Sequence, residues 1–305
     1  MIRLVASELL RFRSRRLVVV LLGASLIGTG VGLAIAAFRS TPPTAEALAA
    51  ARAQAREEVA ACLVQDWEGM FEDPIDQFCQ DNFGDPAQYM GSHLKLADLP
   101  GILEGISSIT SIMGLVVGAS VVAVSWQTGT ISTILTWEPR RLRWFTARIL
   151  VIAAGVLAMT LTIVAVLSAG LALAAATRGS TVGTERAWLS DVLSTALRIG
   201  VAASISAVIG AAVAAVGRHT AAALGVVFVW TAVIEGLIRG FRPHWTPWLL
   251  GDNLASFLTW VSTDVQIGPS QAYSITPGRA LFVILGYTAV TLALAFMFVR
   301  VRDVH

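Results

Sequence analysis

The amino-acid sequence predicts an all-α polytopic membrane protein with six transmembrane helices. Of its 305 residues, 55% are hydrophobic and only 14% are charged, whereas about a quarter of the residues of a soluble domain are charged. Several runs without an ionisable side chain come close to the ~20 apolar residues that cross a bilayer as a helix. The four clearest runs are residues 17–38, 149–177, 199–217 and 280–299.

Two further spans have less simple boundaries. Residues 105–137 carry no charge, which is too long for one straight crossing, but the polar sequence from Ser125 to Thr130 predicts an exit into water. The second helix is therefore expected to end near Val124. The fifth span, residues 220–238, contains Glu235 near one end, where a carboxylate costs less than the ~3 kcal/mol assigned to it at the bilayer centre.

The first span is expected to remain in the protein, because residues 17–38 exceed the ~7 to 15 apolar residues of a secretory signal. Residues 1–16 before it predict an interfacial amphipathic helix that contacts anionic headgroups. A simple positive flank of the first span explains the same arginines. The apolar side chains near one face are Ile2, Val5, Leu9 and Phe12, beside Arg3, Arg11, Arg13, Arg15 and Arg16.

The distribution of arginine predicts the orientation. With the N-terminus in the cytoplasm, 12 of the 22 Lys and Arg residues flank the inner helix ends and five lie in the short outer connections. Cytoplasmic loops carry the excess of basic residues. Both termini are therefore predicted to be cytoplasmic, which requires an even number of spans.

Residues 39–100 predict an extracytoplasmic helical domain between the first two spans. Residues 44–64 are alanine-rich, and the segment has few large apolar side chains, so it is expected to cap the membrane part rather than to fold around its own core. Both cysteines, Cys62 and Cys79, lie in it. An oxidising outer side favours a disulfide between them, and two unrelated buried thiols are the alternative.

Between the fifth and sixth spans, residues 240–278 mix tryptophan with proline and aspartate, which predicts short polar helices at the outer interface.

Several chemistries are missing from the sequence. The only lysine, Lys95, is followed by Leu96, so there is no Gly-x-x-x-x-Gly-Lys-Ser/Thr phosphate loop. The zinc, redox and serine-hydrolase motifs are also missing, and the four histidines are scattered. The sequence therefore predicts no catalytic, cofactor-binding or metal-binding residue. The net charge of +2 comes from arginines at membrane flanks, which gives no indication of a nucleic-acid partner.

Two features of the spans have alternative interpretations. Gly114-x-x-x-Gly118 predicts a close helix contact, either within the chain or with a second copy. Glu104, Arg198 and Glu235 lie near outer helix ends, where they could line a polar substrate path. The same three residues could instead be interfacial anchors and local ion pairs.

The connection between the second and third spans is the most informative stretch. It reads Ser-Trp-Gln-Thr-Gly-Thr-Ile-Ser-Thr-Ile-Leu-Thr-Trp-Glu-Pro-Arg-Arg from Ser125 to Arg141 and continues to Arg148. It resembles the first cytoplasmic loop of ABC-2 type transporter permeases, in which Gly-Thr, a leucine-rich turn, proline and arginine recur. The plan of six spans with an interfacial N-terminal helix is also similar. Ser125 stands where many relatives carry a glutamate, which puts any salt bridge of that glutamate in doubt.

The resemblance implies a permease subunit in the bacterial plasma membrane, more often an exporter than an importer. ATP and Mg²⁺ would be bound by separate ATPase subunits, and the other partner would be a second permease copy or close relative. Residues 126–148 would form the loop that couples to the ATPase. Gly129 and Thr130 are expected to start a short helix there, with Thr130 as its cap, and Pro139 to end it. Ile131, Ile134 and Leu135 would dock into a groove on the ATPase, with Glu138, Arg140 and Arg141 at the rim.

Two other classes stay open. A membrane-embedded enzyme would need a serine or carboxylate near a basic partner at membrane depth. A non-transporting scaffold would bind a partner through residues 39–100. The sequence does not identify a substrate.

Overall fold

The computed structural model describes residues 2–40, 44–65, 74–89, 94–138, 140–181, 184, 186–268 and 271–301. Within these ranges the chain is mostly helical, and six helices are long and apolar enough to cross a membrane. This agrees with the multi-pass helical membrane protein that the sequence predicts. The six are Arg16–Arg39, Leu96–Gln127, Arg141–Arg178, Arg186–Gly217, Thr220–Phe241 and Pro277–Val301.

The described α-helices are numbered in chain order. They are α1 (Ile2–Arg13), α2 (Arg16–Arg39), α3 (Ala45–Val64), α4 (Ile75–Phe83), α5 (Leu99–Gln127), α6 (Thr130–Trp137), α7 (Arg141–Arg178), α8 (Arg186–Gly217), α9 (Thr220–Phe228), α10 (Glu235–Phe241), α11 (Leu250–Thr259) and α12 (Pro277–Val301). A π-helical segment, Val229–Ile234, joins α9 to α10. Short 3-10 segments occur at Pro86–Gln88, Leu96–Asp98 and Pro243–Trp248.

Helices extend beyond the uncharged runs that predict them. The third span was expected from residue 149, but α7 already begins at Arg141. Likewise α5 continues to Gln127 rather than ending near Val124. Uncharged runs mark the part of a helix that suits hydrocarbon, whereas arginine is a good helix former outside it. The segment 126–148, predicted as a loop, is therefore largely helical.

Between the fifth and sixth spans the structure contains two short helices, Pro243–Trp248 and Leu250–Thr259, together with strands that the sequence analysis did not predict. After α11 the chain forms an antiparallel hairpin of β1 (Thr263–Gly268) and β2 (Gln271–Ile275). Val265 is buried while Asp264 and Gln266 are exposed, the period-two alternation of a half-buried strand. The fold is thus not all-α at this point.

The described chain divides into two compact units. The first comprises Met1–Ile27, Pro100–Ala165 and Leu189–His305, and it holds a continuous apolar core. Within it α5 and α8 approach closely, because a Cβ at Gly114 or Gly118 would overlap the backbone carbonyl of Ala203 or Ala207. The Gly-x-x-x-Gly sequence therefore makes a helix contact within the chain, one of its two predicted uses.

The second unit comprises Gly28–Leu99 and Val166–Trp188. Its α3 covers the predicted alanine-rich stretch, and the Thr44 hydroxyl caps it by accepting from the amide of Ala47 at 3.1 Å. A disulfide joins Cys62 of α3 to Cys79 of α4, with their Cα atoms 5.8 Å apart. In the chain-entropy picture a crosslink that closes so short a loop stabilises the fold by about 3 kcal/mol.

Candidate functional site: the α6 helix and a buried ion pair

The short helix α6 lies in the connection that carries the sequence motif. Gly129 precedes it with a φ of 67°, in the left-handed region that glycine adopts at least cost. Thr130 is the first residue of the helix rather than its cap, and its hydroxyl contacts that of Thr128. The expectation that Thr130 caps the helix is therefore wrong. The helix ends at Trp137, before Pro139, which lies outside the described residues.

The apolar residues of α6 face the protein itself. Ile131 and Ile134 are 3% and 7% exposed and belong to the core of the first unit. The prediction that these two side chains dock into a partner is therefore wrong, because their burial within the chain leaves little surface to offer. The side chain of Leu135 lies outside the described part. Thr133 and Thr136 are exposed and form the described outer face of α6.

The charged residues predicted at the rim follow α6 directly. Glu138 comes after its last residue, and its carboxylate lies 3.8 Å from Nη1 of Arg143 in the first turn of α7. Arg140 is exposed and Arg141 is half-buried. Positively charged groups at this end of α6 suit the negative end of the helix dipole.

A buried ion pair joins α1 to α7. The Glu8 carboxylate of α1 accepts from Nε of Arg148 in α7 at 3.0 Å, and the two side chains are only 3% and 2% exposed. Glu8 also accepts from Nη1 of Arg11 at 2.9 Å and from the indole N–H of Trp144 at 3.3 Å. The Arg148 guanidinium lies 4.9 Å from the centre of the Trp144 ring. Each buried charge is thus both paired and hydrogen-bonded, as the cost of desolvation requires.

Further hydrogen bonds connect this pair to α5. Arg148 donates from Nη1 to the hydroxyl of Ser125 at 2.7 Å, and Arg15 donates from Nη1 to the carbonyl oxygen of Ser120 at 2.9 Å. Arg148 thus contacts both α5, through Ser125, and α1, through the carboxylate of Glu8.

Sequence reasoning missed Glu8. It assigned Ile2, Val5, Leu9 and Phe12 to one face of α1, whereas Glu8 and Phe12 are buried and Ile2 and Leu9 are exposed. The available signal was the position of Glu8, the only acidic residue among the arginines of this helix and one turn before Phe12. Residues four apart share a helix face, which places the carboxylate and the Phe12 ring on the same side.

The three residues predicted for a polar path are only partly brought together. The Glu104 carboxylate acts electrostatically on the guanidinium of Arg198, which donates to Thr195 Oγ1 at 2.7 Å. Glu235 has other partners: it accepts from the amides of Leu250 and Gly251 at 2.8 and 3.2 Å.

Glu235 therefore caps a helix. It is completely buried, and its carboxylate satisfies the first amides of α11, whose unpaired N–H groups attract negative charge. Arg239 adds a 3.2 Å contact to Glu235 and a 3.0 Å contact to Asp252. This arrangement matches the interpretation as a local ion pair. Among the described residues, the salt bridge of Glu235 is with Arg239 and not with Arg198.

An apolar cavity of about 730 Å³ lies between the π-helical segment Val229–Ile234, α10, the 3-10 segment Pro243–Trp248 and α12. Its volume is that of a small-molecule pocket. The aromatic residues that line it are Trp230, His244, Trp245, Trp248, Phe282 and Tyr287. Such a lining suits a large apolar or aromatic molecule or lipid chains.

Within the described ranges, no three His, Cys, Asp or Glu side chains lie close enough together to hold a metal ion. Comparison of the sequence with protein-family models and with curated proteins gives no match.

Proposed function

We propose that this chain is the membrane-spanning permease subunit of an ABC transporter of the ABC-2 type. It would work in the bacterial plasma membrane with both termini in the cytoplasm, paired with a second copy or a close relative. Separate ATPase subunits would bind ATP and Mg²⁺, since the sequence carries no phosphate loop of its own. Export is the expected direction.

The observation that carries the proposal is the construction of α6. It is a two-turn helix between two apolar spans, fixed on its inner side by Ile131 and Ile134. Its outer side presents Thr133 and Thr136. When one face of a helix packs on the membrane helices and the other is exposed, movement of a soluble partner bound to the exposed face can displace the membrane helices.

The buried pair supports the same role. Through Glu8 and Arg148, α1 is bonded to α7, which begins four residues after α6 ends. A displacement of α6 would therefore act on both helices rather than on a flexible loop. The apolar cavity beside Trp230 and Tyr287 is the proposed substrate site, which favours apolar or aromatic cargo.

The test is to purify the tagged chain in mild detergent and to identify the chains that accompany it by mass spectrometry. We expect a soluble chain with a phosphate loop, and ATP hydrolysis that stops when the lysine of that loop is replaced. An unrelated tagged membrane protein prepared in parallel is the control. Purification of this chain without an ATPase would remove the support for a permease and favour the enzyme or scaffold class.

A further inference from the structure

A polar cavity of about 280 Å³ lies beside the Glu8–Arg148 pair, in the first unit. Val124 and Ile134 supply its apolar lining. Its polar lining comes from α1, α5, α6, α7 and the α1–α2 junction, so four helices meet around it. The polar lining residues are Arg11, Ser14, Arg15, Ser125, Thr130 and Arg148.

The charges around this cavity do not balance. Three guanidinium groups line it, and Glu8 is the one acidic side chain that the described residues place in an ion pair with any of them. Arg11 and Arg148 share that carboxylate, whereas Arg15 donates to a neutral carbonyl oxygen. Three positive charges against one negative charge leave an excess of two.

The excess positive charge contributes to a lowered pKa of Arg15, which precedes the first span. Burial, the largest cause, and the nearby charge of Arg148 together lower the pKa of its guanidinium to about 10, and Glu8 offsets only part of this shift. An anion in the cavity would reverse both effects, because it attracts the protonated guanidinium and offsets the loss of water.

Donors for such an anion are present. Each guanidinium has five N–H groups, and the hydrogen bonds given above use one nitrogen of Arg15 and two of Arg148. Ser125 adds a hydroxyl donor, because it accepts from Arg148 and its own proton is not used in that bond. The Ser14 hydroxyl already donates to the carbonyl oxygen of Arg11, and the Thr130 hydroxyl contacts that of Thr128. Thr130 is also the first residue of α6, and the N-terminus of a helix carries partial positive charge and amides without a helical acceptor.

We propose that this cavity binds a phosphate group, carried either by the headgroup of an anionic phospholipid or by a small soluble phosphate. Arginine matches phosphate because its planar donors pair with two oxygens at once. Three arginines around one small cavity supply more positive charge than a carboxylate ligand would require. The site is independent of the permease proposal, since binding needs no ATPase.

A bound phosphate would connect α1, α5, α6 and α7 through one ligand. It would neutralise the arginine cluster beside the first turn of α6, where Thr130 and Ile134 line the same cavity.

The experiment has a lipid arm and a soluble arm. In the lipid arm, native mass spectrometry compares phosphatidylglycerol with phosphatidylcholine bound to the full-length protein from mixed micelles of the two. In the soluble arm, inorganic phosphate is titrated into protein in phosphatidylcholine nanodiscs while thermal unfolding is followed, with chloride at equal ionic strength as reference. Retention of phosphatidylglycerol alone identifies a lipid site, and stabilisation by inorganic phosphate identifies a soluble ligand.

Two variants and one control distinguish a specific phosphate site from general attraction of phosphate to the basic surface. Arg15→Gln removes one donor group, and Ser125→Glu places a carboxylate in the cavity while keeping every arginine. Both should weaken phosphate binding at least about tenfold, which corresponds to the loss of one charge-assisted contact. Arg13→Gln, at an exposed residue of α1 outside the cavity, should bind like the wild type.

The proposal is overturned if binding is absent in both arms. It is also overturned if Arg13→Gln weakens binding as much as Arg15→Gln, since attraction to the basic surface would then suffice. If Arg15→Gln fails to fold, Ser125→Glu decides alone, because its added carboxylate relieves the charge excess. Undiminished phosphate binding by folded Ser125→Glu contradicts the site.

Discussion

Under the permease proposal, replacing Thr133 with arginine is expected to abolish association with the ATPase while leaving the protein folded and inserted. Thr133 is exposed on α6. A long charged side chain there would collide with a partner in contact with this face. Docking surfaces tolerate new charge poorly when it must be desolvated. The measurement is the amount of ATPase that co-purifies, together with the ATP hydrolysis that it performs.

The matched control is Gln77→Arg, which adds the same side chain at an exposed position of α4 in the second unit. It should retain the ATPase at the wild-type level. Equal activity of Thr133→Arg and the control would show that the outer face of α6 contacts no partner. Substitution of Ile134 by aspartate is unsuitable for this purpose, because it would bury a charge in the core and destabilise the fold.

Glu8→Gln is expected to destabilise the protein by about 3 to 5 kcal/mol, the usual cost of leaving a buried charge without its partner. The neutral amide keeps the shape but no longer balances Arg148, Arg11 and Arg15, which lie around it. Thermal unfolding of the purified protein in detergent measures the loss.

The control here is Glu138→Gln, which removes a partly exposed carboxylate 3.8 Å from Arg143. Exposed pairs contribute less than about 1 kcal/mol. The double variant Glu8→Gln with Arg148→Gln should lose less stability than the two single changes added together, since residues in one ion pair are coupled. If Glu8→Gln and Glu138→Gln unfold at the same temperature, the buried pair does not hold α1 in place.

The spans could be predicted from the sequence because hydrocarbon selects strongly against charge. The ends of helices could not, since arginines such as Arg141 and Arg143 continue a helix beyond the apolar run. The β-hairpin had a usable signal: Asp264, Val265 and Gln266 alternate in polarity, and a Gly-Pro-Ser sequence follows. The abundance of tryptophan and proline around it favoured interfacial helices instead.

The sequence predicted the helix of the candidate site but not the contacts that its residues make. Periodicity identified Ile131 and Ile134 as one strip of a helix, but a strip looks the same whether it faces its own core or a partner. The Glu8–Arg148 pair joins residues 140 positions apart, and no local pattern specifies which arginine a carboxylate will meet. Only the packing of α1 against α7 decides it.

Crosslinking from α6 itself shows whether its outer face meets an ATPase. A photo-activatable amino acid is placed at Thr133, or at Gln77 as the control, and irradiated in intact cells, and the crosslinked product is identified by mass spectrometry. Thr133 is expected to crosslink to a cytoplasmic chain with a phosphate loop, and Gln77 is not. Crosslinking of Thr133 only to lipid, or to another copy of this chain, would contradict this expectation.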